Sequence, residues 1–224
     1  MASKTVLDRI ISDSIPIWDE CINTPFIQEI TDGTIEDEKV LKYIVEDSIY
    51  LLEYAKCFAY EIAKCKTLEN IRYFYGILGF VNESETSVRR EFIKNHGLTD
   101  FQVETKAPDT ACKEYTDFMI SHCKDGTLQE GLMSILPCML SYQYIFKKVY
   151  NIKPSLLKTK YAGLLEFYCC DEYKDLAEEW KEYASKLCGE VSAEEEKHLT
   201  EIFRKSSEFE LNFWKMSYDN ALKW

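Results

Sequence analysis

Cys138 is the residue of the chain whose neighbours most clearly suggest covalent chemistry. It lies in an apolar stretch, residues 135–142, which the sequence predicts to be helical, with Pro137 directly before the thiol and Tyr142 one turn after it. A proline inside a helix removes a backbone donor and crowds the preceding turn at a cost of roughly 3 kcal/mol, and kinked helices can line pockets. A cysteine thiolate is a good nucleophile, although the same pattern also fits a cysteine packed in a core.

Two carboxylates also lie among aromatic residues. Asp47 shares a predicted helix face with Tyr43 and Tyr50, and Glu210 is followed one turn later by Trp214. An apolar environment raises the pKa of a carboxyl group, which can then donate or accept a proton near neutral pH. The competing interpretation of each is an acidic residue on the exposed face of a helix.

A metal site is the next kind of chemistry that a helical chain could carry. Helical bundles hold pairs of metal ions through two E-x-x-H motifs and further carboxylates. This chain has one such motif, Glu195 with His198, and Glu195 also fits a helix-capping box. Glu83 and Glu85 form another carboxylate pair, but two residues apart on a helix they point to different sides. The sequence therefore predicts neither a metal site nor a bound cofactor.

The elements that must position these residues are helices. Apolar residues recur at intervals of three and four almost throughout the chain, and alternating strand-like stretches are missing, which predicts an all-α protein. Capping boxes mark two helix starts, at Thr127 and Ser192. The predicted helices are residues 5–22, 36–66, 68–95, 109–124, 128–151, 157–169, 172–188 and 193–222, with a short turn at 25–31.

Nothing in the sequence marks a second domain. No internal repeat, low-complexity tract or Pro/Ser-rich linker interrupts the pattern, so we expect residues 1–224 to form a single domain. Hydrophobic residues make up 46% of the chain, which is ample for a large core. Several predicted helices are long, which suits a helical bundle with a buried pocket between its helices.

The charge balance restricts the partners. The chain has 27 basic and 39 acidic residues, for a net charge of −12. Nucleic acids and anionic membranes attract clustered Lys and Arg, so this balance argues against both. No run of 18 or more uncharged apolar residues occurs, and the N-terminal segment lacks a signal-peptide core. We therefore expect a cytoplasmic protein.

The nine cysteines form an odd set without a C-x-x-C pair. This pattern argues against a disulfide framework and against a structural zinc site. The adjacent Cys169 and Cys170 could suggest a redox switch. Because vicinal disulfides are strained, two packed thiols at a helix end are the favoured interpretation.

Several short segments, taken together and in order, resemble the TenA family of thiaminases II, which has the haem-oxygenase-like helical fold. They are residues 24–28 (Thr-Pro-Phe-Ile-Gln), 32–34, 43–51 (Tyr-Ile-Val-Glu-Asp-Ser-Ile-Tyr-Leu), 83–92, 115–116, 136–138 (Leu-Pro-Cys), Tyr168 and 210–214 (Glu-Leu-Asn-Phe-Trp). The resemblance spans nearly the whole chain. No single segment is specific, whereas their joint occurrence in this order is.

The resemblance implies roles for seven residues, all of the type expected in the cysteine-containing branch of the family. Cys138 would be the nucleophile, Glu210 its acid/base partner, and Asp47 the residue that holds the aminopyrimidine ring and its amino group. The remaining four would line the pocket or hydrogen-bond within it: Tyr50, Tyr115, Tyr142 and Tyr168. Relatives often have glutamine at the position of Glu46, which should point away from this pocket.

The activity that the resemblance implies is that of a hydrolase of thiamin salvage. It would convert 4-amino-5-aminomethyl-2-methylpyrimidine to the hydroxymethyl pyrimidine with release of ammonia, and would also cleave thiamin, through a covalent cysteine intermediate. An ordinary cysteine has a pKa of about 8.5 and nearby carboxylates raise it, so the thiol proton should leave during attack, or substrate binding should neutralise a carboxylate. The resemblance also implies a homotetramer and no cofactor.

Two other functions are compatible with the sequence. The first is a non-hydrolytic member of the fold, which would be an oxidase, a metal enzyme or a protein that only binds an aminopyrimidine. The second is a regulatory protein, because the family has carried a transcriptional-activator label. The acidic composition and the absence of a helix-turn-helix signature argue against direct contact with DNA.

Overall fold

The computed structural model describes residues 4–83, 86–219 and 222, and these residues form helices and no strand. The all-α class predicted from the periodicity is confirmed. The helices are α1 (Val6–Ile22), α2 (Pro25–Asp32), α3 (Asp37–Lys64), α4 (Leu68–Glu83), α5 (Thr86–Asn95), α6 (Asp100–Glu104), α7 (Thr110–Asp125), α8 (Leu128–Ile152), a 3₁₀ helix (Pro154–Lys158), α9 (Ala162–Cys169), α10 (Asp171–Cys188) and α11 (Ala193–Tyr218).

The two predicted capping boxes are confirmed. The side chain of Thr127 accepts from the amide of Glu130 at 3.2 Å, and the Glu130 carboxylate accepts from the amide of Thr127. Ser192 and Glu195 make the same pair of bonds at the start of α11. These bonds satisfy amides that the first turn of a helix leaves without partners, which fixes where α8 and α11 begin.

Three predicted boundaries are wrong. The described parts of the helix predicted over 68–95 are helical, as α4 and α5, and residues 84 and 85 lie outside the described residues. Helix α9 begins at Ala162 because the chain from Pro154 forms a 3₁₀ turn first. The turn predicted at 25–31 is a full helix, α2. The helix predicted over 193–222 ends at Tyr218, while residues 220 and 221 of that prediction lie outside the described residues. In addition, the short helix α6 is absent from the predicted set.

The centre of the bundle is formed by α3, α7, α8 and α11. Helix α11 packs along α8 and α7, while α3 packs along α7 and α8. Helix α1 covers another side of α11. Helices α9 and α10 cover α8, and the segment α4 to α6 lies along α3. The side chains that the four central helices turn toward one another are almost fully buried, so any site between them is built inside the core.

Helix α8 carries Pro137 in its interior and is held at that point by neighbouring helices. The carbonyl of Ser134 accepts from the hydroxyl of Ser206 on α11 at 2.7 Å, and the carbonyl of Ile135 accepts from the hydroxyl of Tyr54 on α3 at 3.1 Å. A proline pushes apart the turn that precedes it. The two hydroxyl donors therefore stabilise that turn and fix the direction in which the side chain of Cys138, the candidate nucleophile, leaves the helix.

The two cysteines at the end of α9 agree with the prediction. Cys169 is its last residue and Cys170 follows as the C-terminal cap, with its thiol donating to the carbonyl of Phe167 at 2.9 Å. Both are thiols packed at a helix end.

In the part of the chain that the structure describes, every helix is too short or too polar to cross a lipid bilayer.

Candidate active site

The four central helices bring most of the proposed site residues around one small cavity. It is lined by Asp47 and Tyr50 of α3, Tyr115 of α7, Cys138 and Tyr142 of α8, and Glu210 and Phe213 of α11. Six of the seven residues that the resemblance implied therefore meet at one place. The cavity measures about 10 Å³, which is room for about one water molecule.

Glu210 is the carboxylate of this cavity that faces the thiol. Its Oε1 accepts from the hydroxyl of Tyr115 at 2.6 Å, and it also accepts a hydrogen bond from Cys138. Burial raises the pKa of Glu210 to about 7, while the hydrogen bonds from Tyr115 and Cys138 act in the opposite direction. A carboxylate with this pKa can both take a proton from a thiol and return it near neutral pH.

Tyr115 is fixed in place by polar and aromatic contacts. Its hydroxyl lies 3.2 Å from the hydroxyl of Ser206, and its ring stacks on Phe209 with the ring centroids 5.4 Å apart. Burial, together with the negative charge of Glu210, raises the pKa of Tyr115 well above its usual value, so the phenol stays protonated. It is therefore a permanent hydrogen-bond donor to Glu210.

Asp47 has a partner that the sequence reasoning missed. The guanidinium of Arg89, on α5, forms an ion pair with Asp47, and both side chains are buried. Nη2 of Arg89 also donates to the hydroxyl of Tyr168 at 3.1 Å. Tyr168 thus reaches the site through Arg89 and does not line the cavity itself. In the sequence Val88-Arg89-Arg90, a run of charge resembles a solvated helix face, and no local pattern distinguishes Arg89 from Arg90.

Aromatic rings form the wall behind Asp47. The hydroxyls of Tyr43 and Tyr142 lie 2.9 Å apart, and Tyr43 stacks on Trp214 with the centroids 5.3 Å apart. Tyr142 packs against both Tyr168 and Trp214 at 5.0 Å. Flat apolar walls with a few polar groups at the edge are typical of sites for small heteroaromatic ligands.

Comparison with known proteins decides the family. The model of the TENA/THI-4/PQQC family matches residues 12–220. The chain belongs to this family. It is 30% identical over 204 residues to the aminopyrimidine aminohydrolase of Helicobacter pylori, covering 91% of this chain and 94% of that protein. It is 29% identical over 207 residues to the aminopyrimidine aminohydrolase of Halalkalibacterium halodurans, with 92% of each chain covered.

Solved structures agree on the fold of this TenA chain. A TenA homologue from P. horikoshii OT3 superposes with a TM-score of 0.83 at 24% identity, covering 96% of this chain and 99% of that one. A domain from Shewanella denitrificans with a haem-oxygenase-like fold gives 0.69 at 16% identity, covering 95% and 91%. The haem-oxygenase-like fold implied by the sequence resemblance is confirmed.

Glu46, next to Asp47 in the chain, does not line the cavity. Its carboxylate accepts from Nζ of Lys106 at 2.6 Å and from the backbone amide of Asp109 at 2.8 Å. It therefore points toward the loop that precedes α7, as expected. The charge of this residue is compensated there and does not reach Asp47.

The residues of the E-x-x-H motif, Glu195 and His198, have other contacts in this TenA protein. Glu195 caps α11, and Nε2 of His198 lies 2.6 Å from Oε1 of Glu130. The side chains of Glu83 and Glu85 lie outside the described part of the structure. Among the residues that are described, no three His, Cys, Asp or Glu side chains come together as metal ligands.

Proposed function

We propose that the protein is an aminopyrimidine aminohydrolase of thiamin salvage. It would hydrolyse 4-amino-5-aminomethyl-2-methylpyrimidine to the 5-hydroxymethyl pyrimidine and ammonia, and would cleave thiamin to hydroxymethylpyrimidine and its thiazole. The observation that carries the proposal is the hydrogen bond between the thiol of Cys138 and a buried Glu210 whose pKa is raised to about 7. The relatives in Helicobacter pylori and Halalkalibacterium halodurans are named aminopyrimidine aminohydrolases, which supports hydrolysis of an aminopyrimidine.

Recognition of the substrate falls to Asp47 and the tyrosines. A 4-aminopyrimidine presents an amino N–H beside a ring nitrogen, an edge that a carboxyl group can bind through both of its oxygens. Asp47 is the carboxyl group at the cavity beside the aromatic wall. Tyr50, Tyr115 and Tyr142 would enclose the faces of the ring, and Tyr168 would hydrogen-bond at the edge of the pocket, where its hydroxyl accepts from Arg89.

The reaction begins at the thiol. Cys138 gives its proton to Glu210 as the sulfur bonds to a ring carbon, which places an electron pair and a negative charge on the ring. The ring electrons then expel the amine, which takes the proton from Glu210 and leaves as ammonia. The product of this step is a neutral ring that carries an exocyclic methylene and is still bound to sulfur.

Water completes the reaction. Glu210, again ionised, takes a proton from a water molecule as its oxygen bonds to the methylene carbon. The carbon–sulfur bond then breaks, the electron pair leaves with sulfur, and the thiolate recovers its proton from Glu210. One water is consumed and one ammonia released, and both Cys138 and Glu210 return to their starting forms. Cleavage of thiamin follows the same bond changes, except that the cationic thiazolium leaves as a neutral thiazole without taking a proton, so Glu210 releases its proton to solvent before it activates water.

The nucleophile is tested by Cys138→Ser. A serine hydroxyl is a far weaker nucleophile at neutral pH, so ammonia release from the aminomethyl pyrimidine and pyrimidine release from thiamin should both fall below detection. The matched control is Cys65→Ser, because Cys65 caps α3 away from the cavity and should leave turnover unchanged. Circular dichroism should show equal helical content in all three proteins. Undiminished turnover of Cys138→Ser would contradict the mechanism.

The preferred leaving group is decided by kinetics. The aminomethyl pyrimidine and thiamin present the same ring to Asp47 and Cys138 and differ only in the group that leaves. A comparison of kcat/KM for the two on the purified protein identifies the substrate for which the site is better suited. Ammonia and thiazole are the products to be measured.

The domain organisation, location and oligomeric state of the enzyme are proposed from its family. We infer that residues 1–224 form one domain, that the protein is cytoplasmic, and that four copies assemble into a homotetramer. Several large apolar side chains are exposed on the single chain, among them Leu68, Phe101 and Ile152, which supports burial of surface between copies. Size-exclusion chromatography with light scattering should give a mass near four times 26.3 kDa.

A further inference from the structure

Arg89 stands between the cavity at Cys138 and a much larger one. The larger cavity, here called the outer cavity, measures about 430 Å³ and lies between α3 and the segment α4 to α6. Its lining includes Ser48, Tyr75, Arg89, Asp100 and Glu104. Tyr75 is largely exposed, so the outer cavity reaches the surface of the chain.

The inner cavity cannot take a substituted pyrimidine as it stands. Its volume of about 10 Å³ suits a single water, so a group that borders it must move before a ring can enter. Tyr50, Tyr115 and Tyr142 are packed among other rings of the core. Arg89 differs from them because it contacts Asp47 on one side and already borders the outer cavity on the other.

The chemistry of the guanidinium makes this position significant. A guanidinium offers a carboxylate two parallel N–H groups on one planar edge. An aminopyrimidine that shares a proton with Asp47 offers the same edge, an amino N–H beside a ring nitrogen. Both groups are flat, and both would lie against the aromatic wall of Tyr43 and Trp214. The two therefore compete for one carboxylate.

We propose that Arg89 is a specificity-determining residue that acts as an internal competitor of the substrate: its guanidinium occupies Asp47 and yields only to a ligand with an equivalent N–H edge. The inference rests on the part of the proposed function that assigns the aminopyrimidine to Asp47. A buried carboxylate that loses its partner is strongly destabilised, so a ligand that cannot donate to Asp47 in place of the guanidinium does not displace Arg89. The displaced side chain turns into the outer cavity, where Asp100 and Glu104 supply carboxylates to receive it.

The test measures binding of 4-amino-2-methylpyrimidine, a ring without a leaving group, by isothermal titration calorimetry. Removal of the competitor in Arg89→Met should lower the Kd about tenfold or more, because the competent state no longer requires displacement of the guanidinium. The KM for the aminomethyl pyrimidine should fall in parallel with the Kd. The matched control is Arg72→Met, an exposed arginine of α4, which should leave both quantities unchanged.

Guanidinium ion supplies an independent readout. In Arg89→Met, millimolar guanidinium chloride should bind at Asp47 and raise the apparent Kd for the pyrimidine, whereas wild type should show no such competition. Arg89→Lys is a second variant, which keeps a buried positive charge but lacks the paired N–H groups of a guanidinium. Its Kd for the pyrimidine should lie between those of wild type and Arg89→Met. Circular dichroism verifies that each variant is folded.

The outcomes separate the inference from the proposed function. Weaker pyrimidine binding in both Arg89→Met and Arg89→Lys, or a guanidinium ion that strengthens binding, would make Arg89 part of the recognition site and overturn the inference. If wild type binds the pyrimidine and the variant binds it more tightly, but neither releases ammonia, the competitor stands and the proposed hydrolysis falls. If wild type hydrolyses the substrate and Arg89→Met binds the pyrimidine no more tightly than wild type, the proposed hydrolysis stands and the role of Arg89 as a competitor falls.

Discussion

Glu210 receives its two hydrogen-bond donors from two different helices, Tyr115 from α7 and Cys138 from α8. Without these donors, burial alone would raise its pKa further. With them, the pKa of about 7 lies between that of an ordinary carboxyl group and the value of about 8.5 for an ordinary thiol. Glu210 can therefore both accept and donate a proton near neutral pH, as its role in the mechanism requires.

The pH dependence of the reaction follows from this pKa. Glu210 must be ionised to accept the thiol proton, so kcat/KM should be low at pH 5 and rise with pH through about 7. In Glu210→Gln this rise should disappear and kcat should fall at least ~100-fold, with a much smaller effect on binding. The control is Glu201→Gln, an exposed residue of the same helix. A wild-type pH profile in Glu210→Gln would assign the rise to another group.

The site could be predicted from the sequence to the extent that its residues share a helix face or a family motif. Asp47 and Tyr50 share one face, and Cys138 and Tyr142 share another, so local spacing already pairs them. The meeting of these pairs with Glu210 depends on how α3, α8 and α11 pack, which local spacing does not determine. The role of Arg89 could not be predicted, because a buried and an exposed arginine have the same appearance in a charged sequence.

At the scale of elements, the interior proline of α8 is held by hydroxyl donors from α3 and α11. The carbonyls that accept these bonds belong to the turn directly before Cys138. Ser206 serves twice, since its hydroxyl also lies 3.2 Å from that of Tyr115. Ser206 therefore links the direction of α8 to Tyr115, the donor that lowers the pKa of Glu210.

Removal of one donor should measure the strength of this arrangement. Tyr54→Phe leaves the carbonyl of Ile135 without its side-chain partner, so the free energy of unfolding should fall by about 1 kcal/mol. Urea denaturation gives this quantity directly. Tyr75→Phe is the control, because Tyr75 is largely exposed and its hydroxyl borders solvent. Equal midpoints for Tyr54→Phe and wild type would show that the turn keeps its geometry without Tyr54.

Most helices could be predicted because their caps and periodicity agree, and the failures have identifiable causes. A 3₁₀ helix begins at Pro154, so α9 starts later than the apolar pattern from residue 157 predicts. For α6 a signal was available: Thr99 and Gln102 form a capping box with both bonds present. A helix of five residues is too short to show periodicity, so the cap was its single signal.

The stability of the whole molecule also depends on a buried carboxylate that is remote from the cavity. Glu61, near the C-terminal end of α3, is completely buried and pairs with Lys64 at 2.6 Å. Burial raises its pKa from 4.5 to about 7, in spite of the hydrogen bonds from Lys64 and Cys123. Gly131 of α8 faces it so closely that any added side chain would collide with the carboxylate.

The cost of this charge depends on pH. The folded pKa of Glu61 is raised, so its contribution to stability is complete below about 4.5 and is lost as pH rises through about 7. At pH 8 the loss should be roughly 3 kcal/mol, at about 1.4 kcal/mol per pKa unit. Glu61→Gln should therefore raise the Tm relative to wild type at pH 8 and have little effect at pH 5. Calorimetry with the exposed Glu190→Gln as control measures this, and equal shifts at both pH values would refute it.

The position of Trp214 has an optical consequence for the intact molecule. Its indole lies 5.3 Å from the ring of Tyr43 and 5.0 Å from that of Tyr142, which borders the cavity, whereas Trp18 and Trp180 pack against other parts of the core. Indole emission is sensitive to charges and rings that move nearby. Arrival of a ligand at Asp47 and departure of Arg89 both change the surroundings of Trp214. The protein thus carries an intrinsic fluorophore whose emission can follow occupancy of its cavity in real time, without any label.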